Sequence, residues 1–85
     1  MAAEKYFRAG LSFDPSSIEL EEFLAEAVAQ QGRKEEAAEL LQNILSREPS
    51  YAPAWRRLAE YLSDIDPEAS RKAAAQAAWY GQAVE

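Results

Sequence analysis

The sequence predicts an all-α domain of about five helices arranged in antiparallel pairs, and two observations lead to this. Helix-forming residues dominate the 85-residue chain, which has no threonine, two valines and three isoleucines. β-Branched residues are therefore too scarce to build a sheet. A short pattern also occurs twice, 34 residues apart, in segments 11–16 and 45–50. A fixed period of this length is typical of helical units stacked on copies of themselves.

The first helix is expected over about residues 3–13, where apolar residues recur at intervals of three and four. It ends at Asp14-Pro15, because a proline disfavours the helical region for the residue before it. Ser16 is then expected to cap the second helix, with Glu19 completing a capping box three residues later.

Glycine and proline set the later boundaries. Gly32 is a C-cap at which a positive φ costs little, and the third helix stops before Pro49. Pro53 is tolerable in the first turn of the fourth helix, and Asp66 caps a fifth. The helices after the first are expected over about residues 17–31, 34–47, 51–63 and 67–80. Their short connections predict that sequential helices pack antiparallel.

Charge and residue types exclude several functions. Fifteen acidic against nine basic residues give a net charge of −6, which argues against nucleic acid as a partner. This charge favours a neutral or basic partner, although it also simply keeps a small protein soluble. The absence of histidine and cysteine removes the commonest bases, nucleophiles and metal ligands. We therefore expect no enzyme, no cofactor and no metal site.

No apolar run approaches the ~18 residues of a membrane span, and the start of the chain lacks the features of a secretory signal. We expect no membrane partner and a cytoplasmic location.

The central unit has a 34-residue pattern carried by Leu24, Ala25, Val28, Gly32, Ala37, Leu41, Ile44 and Pro49. This pattern resembles that of the tetratricopeptide repeat family. The next unit begins on pattern with Trp55, Leu58, Ala59 and Leu62. It then drifts, since Asp66 replaces the expected glycine and Arg71 the expected alanine. Glu21 stands where the family often has tryptophan.

The resemblance implies a right-handed superhelix of antiparallel helix pairs. It divides the chain into a half repeat at 1–17 and repeats at 18–51 and 52–85, as in a segment of a longer array. Alanine at positions 25 and 37 is expected to let the helices of one unit approach closely.

The family places the first helix of each unit along a concave groove that holds a peptide. Carried over by position, the groove residues are Glu19, Glu22, Glu26, Ala29, Gln30, Arg56, Glu60 and Ser63, with Asp64 beside them. Chaperone-binding members clamp a C-terminal carboxylate with lysine and asparagine, but Glu22 and Glu26 fall at those places here. The resemblance therefore favours a basic or mixed peptide, with Arg56 as an anchor. The competing interpretation is that the acidic residues within two turns of the second helix, Glu19, Glu21, Glu22 and Glu26, form a solvated face with no ligand.

Aromatic residues at the two ends leave a second possibility open. Tyr6, Phe7 and Phe13 lie on a helix without its family partner, and Trp79 and Tyr80 lie near the other end. Either the chain belongs to a longer array, or these ends pair with another copy or protein. Three functions follow: a peptide-binding scaffold, a self-assembly module, or the non-catalytic repeat region of a larger enzyme or of a secretion or biosynthesis factor.

Overall fold

The computed structural model describes residues 2–82, which form five α-helices and, within that range, no strand. The helices are α1 (Ala2–Phe13), α2 (Ile18–Gln30), α3 (Lys34–Arg47), α4 (Ala52–Leu62) and α5 (Pro67–Gln82). The prediction of an all-α fold is confirmed, with boundaries within two residues of those expected. The main difference is at the end of α5, which continues through Gly81 instead of stopping before it.

Capping groups fix where the helices begin. Ser17, not the expected Ser16, is the N-cap of α2, and its hydroxyl accepts a hydrogen bond from the Leu20 N–H at 3.2 Å. The Ser16 hydroxyl instead donates to the Asp14 carboxylate at 3.2 Å, so the prediction was wrong by one position. Asp66 caps α5 as expected, since its carboxylate accepts from the Ala69 N–H at 3.3 Å. Gly32 has φ 85°, the conformation that its C-cap role requires.

Each helix packs against the next one in the chain, and connections of three or four residues make neighbours antiparallel. Ala25 of α2 and Ala37 of α3 are both 0% exposed and belong to one core cluster, in agreement with the predicted close packing of these helices. Large apolar side chains fill the space around them. The largest fully buried side chains are Leu24, Val28, Leu41 and Ile44.

Polar side chains connect helices that are two apart in the chain. Arg8 of α1 pairs with Glu36 of α3 at 3.0 Å, and Arg57 of α4 pairs with Glu22 of α2 at 3.2 Å. These side-chain contacts link α1 to α3 and α2 to α4, as is expected of stacked helix pairs.

Glu4 lies at the centre of the polar cluster that holds α1. Its carboxylate accepts hydrogen bonds from Arg33 at 2.9 Å, Gln31 at 2.8 Å and Arg8 at 2.9 Å. These hydrogen bonds, from Arg33 most of all, lower the pKa of Glu4 from 4.5 to about 2. Glu4 in turn raises the pKa of the Arg33 guanidinium. The cluster ties α1 to the turn between α2 and α3.

Two acidic residues of α2, Glu21 and Glu22, are not on a solvated face as expected. Glu21 is only 4% exposed, where it pairs with Arg47 and accepts a hydrogen bond from the Asn43 amide at 3.0 Å. The Glu22 side chain is 14% exposed and is also bonded to other residues. Because a buried carboxylate needs partners, these two residues connect helices.

Some of the aromatic side chains on α1 and α5 are exposed to solvent. Tyr6 is 73% exposed and Phe13 is 91% exposed on α1, while Trp79 on α5 is 66% exposed. Phe7 is half-buried and stacks on Phe23 of α2, with ring centroids 5.6 Å apart. None of the helices in residues 2–82 combines the length and the apolar character that a membrane crossing requires.

Candidate functional site

A concave surface lies between α2 and α4. It encloses a cavity of about 250 Å³. The cavity is lined by Glu26, Ala29, Gln30, Lys34, Arg57, Glu60 and Tyr61, and we call this surface the α2–α4 groove. Charged and amide side chains dominate the lining, so the groove is suited to polar contacts.

Arg57 is the organising side chain of the α2–α4 groove. Its Nε donates to Glu22 Oε2 at 3.2 Å, and its Nη1 lies 3.7 Å from Glu26 Oε1. The Arg57 side chain is two-thirds buried, and these two carboxylates hold its guanidinium in place along α2. The positive charge of Arg57 is thereby balanced inside the protein.

Two tyrosines contribute neutral hydroxyls near this cation. Tyr51 donates its hydroxyl hydrogen bond to Glu22 Oε1 at 2.7 Å. Burial, together with this hydrogen bond, raises the pKa of Tyr51 to about 12. Burial also raises the pKa of Tyr61, which lines the groove. Both phenols therefore stay protonated near neutral pH.

At the edge of the groove, Lys34 lies 3.6 Å from Asp64. Both partners are well exposed, at 42% and 81% of the side chain. Glu60 is exposed and forms no ion pair within residues 2–82. Lys34 and Arg57, the two cations that line the groove, thus each form an ion pair within the protein. The Glu60 carboxylate, in contrast, faces solvent.

The structure brings together four of the residues predicted to form the groove, Glu26, Ala29, Gln30 and Glu60, all of which line the cavity. Glu22 lies behind the lining and holds Arg57. The other predicted residues lie outside the cavity lining, all exposed: Glu19 on α2, Arg56 on α4, and Ser63 just after α4. The Ser63 hydroxyl donates to the carbonyl oxygen of Glu60 at 3.0 Å.

Three lining residues were not predicted from the sequence: Lys34, Arg57 and Tyr61. Arg56 and Arg57 are adjacent, and both stand three or four residues before Glu60. The helical period therefore does not indicate which of the two arginines lines the groove. The i, i+4 spacing of Arg57 and Tyr61 was the one available signal for this face.

A family model described as Tetratricopeptide repeat matches residues 2–62, from α1 to the end of α4. The chain belongs to the tetratricopeptide repeat family. Members of this family generally mediate protein–protein interactions and are typically non-catalytic scaffolds. α5 lies outside the matched residues, in the part of the sequence where the repeat pattern drifts. A comparison with curated proteins finds none that matches the chain.

Proposed function

We propose that this protein is a non-catalytic scaffold that holds a basic protein segment in the α2–α4 groove. The observation that carries the proposal is the charge arrangement around Arg57. Glu22 and Glu26 balance the guanidinium internally, while Glu60 at the mouth has no ion-pair partner in the described chain. A ligand entering the groove therefore meets the Glu60 carboxylate, whose charge no side chain of the described residues balances.

The groove should prefer a basic ligand because an acidic ligand would meet repulsion from its carboxylates. An acidic segment would have to lie against Glu26 and Glu60 and compete with Glu22 for Arg57. A lysine or arginine side chain can pair with Glu60 and with the exposed part of Glu26. Gln30 is exposed in the same lining and can bond to the peptide backbone. Glu19 extends the acidic surface along α2.

The test is fluorescence anisotropy with a labelled peptide rich in lysine and arginine, compared with a matched peptide that carries glutamate at the same positions. We expect only the basic peptide to bind, with an affinity that falls as salt rises. Charge reversal at the groove, Glu26→Lys combined with Glu60→Lys, should weaken binding about tenfold or more.

The matched control is Glu35→Lys combined with Glu39→Lys, which makes the same change in net charge at two exposed positions of α3 outside the groove lining. It should reduce affinity only slightly, through the change in net charge. Equal losses in the groove variant and in the control would show that the peptide responds to overall charge alone, and would overturn the proposal.

Self-assembly is a second candidate function, favoured by exposed aromatic side chains on both α1 and α5. Tyr6 and Phe13 are exposed on the first helix, and Trp79 is exposed on the last described one. Sedimentation across a concentration series tests this function. A mass that rises with concentration in the wild type, and is lost in a Phe13→Ser variant, is the expected result; a monomer at all concentrations excludes it.

A further inference from the structure

A second concave surface lies on a different face of α4, between α3 and α5. It encloses about 510 Å³, and we call it the α3–α5 cleft. Its floor and walls are apolar: Leu45, Trp55, Leu58, Leu62, Ala69 and Ala73. A cavity of this size and character is typical of a site that takes large apolar groups.

The cleft exists because α5 presents alanines where a longer side chain would fill the space. Ala69 and Ala73 face the cleft from α5, and Leu45 faces it from α3. α5 packs on α4 but reaches α3 much less, so the gap between α3 and α5 stays open. The cleft thus depends on the small side chains at positions 69 and 73 of α5.

Trp55 gives the cleft a fixed aromatic wall. Its indole N–H donates to the Pro49 carbonyl oxygen at 2.7 Å, and its ring stacks on Tyr80 with centroids 6.5 Å apart and planes 16° apart. The hydrogen bond to Pro49, which does not involve α5, orients the ring before any ligand arrives. A pre-ordered tryptophan loses little side-chain entropy on binding.

The rim of the cleft carries one charge. Gln42, Ser46 and Gln76 are neutral, and Lys72 is the sole ionised side chain among the lining residues. Lys72 is exposed and has no ion-pair partner within residues 2–82. The chain as a whole has a net charge of −6. Lys72 nevertheless makes the rim of the cleft locally positive, next to its apolar floor.

We infer that the α3–α5 cleft binds a protein segment in which large apolar side chains stand next to an acidic residue. The apolar side chains bury against Leu58, Leu62 and the Trp55 ring, and the carboxylate pairs with Lys72. This site is independent of the α2–α4 groove, because the two share no lining residue and require opposite ligand charges.

Two synthetic helix-forming peptides test the inference, each with two leucines one turn apart. One carries glutamate in the following turn and the other carries lysine at the same position. The chain has two tryptophans, so a Trp79→Phe variant leaves Trp55 as the sole fluorescent indole. We expect the glutamate peptide to shift Trp55 emission and to bind about fivefold more tightly than the lysine peptide.

Two pairs of variants separate the cleft from the rest of the surface. Lys72→Glu should reverse the preference between the peptides, whereas Arg71→Glu, at an exposed neighbour outside the lining, should keep it. Ala69→Leu fills the cleft and should abolish binding of both peptides, whereas Ala75→Leu, on the exposed side of α5, should leave it intact. Glu26→Lys in the α2–α4 groove should have no effect on this binding.

The inference is overturned if neither peptide changes Trp55 emission at millimolar concentration, if the two peptides bind equally, or if folded Ala69→Leu still binds. Circular dichroism checks that each variant is folded. Should Ala69→Leu lose its structure, the peptide preference of Lys72→Glu decides the outcome, because that substitution lies at an exposed position.

Discussion

Arg47, in the last turn of α3, forms an ion pair with Glu21, whose carboxylate is buried in the first turn of α2. Glu21 is 4% exposed, while the Arg47 side chain keeps 36% of its surface in solvent. Asn43, one turn before Arg47, donates a further hydrogen bond to the same carboxylate. The start of α2 and the end of α3 are therefore joined by a polar contact at a position where the family often has tryptophan.

Replacing Arg47 alone should destabilise the fold. Arg47→Ala leaves the Glu21 carboxylate buried with only the Asn43 amide as partner. Removing one partner of a fully buried pair costs roughly 3–5 kcal/mol, and the partial exposure of Arg47 reduces this to about 2 kcal/mol. Urea unfolding of Arg47→Ala measures the change.

A second variant shows whether the uncompensated charge is the cause. In the double variant Glu21→Leu/Arg47→Ala an apolar side chain replaces the carboxylate, so most of the lost stability should return. If the double variant is as unstable as Arg47→Ala, the loss comes from the packing of the Arg47 side chain and not from the charge of Glu21.

Glu4 should make the stability of the protein sensitive to acid. Its pKa is lowered in the folded state from 4.5 to about 2, so its contribution is complete above about pH 4.5 and is lost as the pH falls towards 2. Carbon-detected NMR should show the Glu4 carboxyl group titrating near pH 2 instead of near its ordinary 4.5. Unfolding of the wild type and of Glu4→Gln should differ most above pH 4.5 and converge near pH 2.

The control for Glu4 is Glu39→Gln, which removes a carboxylate that is exposed on α3. Its difference from the wild type should stay small at every pH. A Glu4→Gln curve that runs parallel to the wild type from pH 6 to pH 2 would contradict the role of the Arg33 contact.

The helix boundaries could be predicted from the sequence because the residues that set them act locally. Pro15, Gly32 and Asp66 act on the backbone within a few residues of themselves, so helix boundaries followed directly from them. Ser16 and Ser17 show the limit, because either hydroxyl could reach the first turn of α2. The choice of Ser17 depends on how the Asp14 carboxylate engages Ser16.

The candidate site was harder to predict because its contacts join distant parts of the chain. Glu21 meets a partner 26 residues later, and Glu22 meets Arg57 35 residues later. Sequence patterns described these glutamates as a solvated face, since nothing local indicates their burial. Arg57 likewise lines the groove instead of Arg56 because of the rotation of α4, which its packing on α3 and α5 determines.

Close helix packing at Ala25 should make this position intolerant of a larger side chain. Ala25 is 0% exposed in α2, in the same core cluster as Ala37 of α3. Ala25→Leu forces the two helices apart and should cost ~1–3 kcal/mol in urea unfolding. Ala75→Leu makes the same change at an exposed site in α5 and should have little effect. Equal stability of the two variants would tell against the close approach of α2 and α3.

The last described helix should open before the rest of the fold. Ala73 is its one buried residue among those described, and its other packing residues are mostly alanines, which bury little apolar area. In residues 74–82 of α5, Tyr80 stacks on Trp55, while Ala74, Ala75 and Ala78 are exposed. Since segments with few buried contacts open more readily, amide hydrogens of residues 76–82 should exchange faster than those of α2 and α3.

Tyr80→Ala should speed that exchange further without changing exchange in α2. Protection in α5 equal to that in α3 would show that its alanine face packs more tightly than its small side chains suggest.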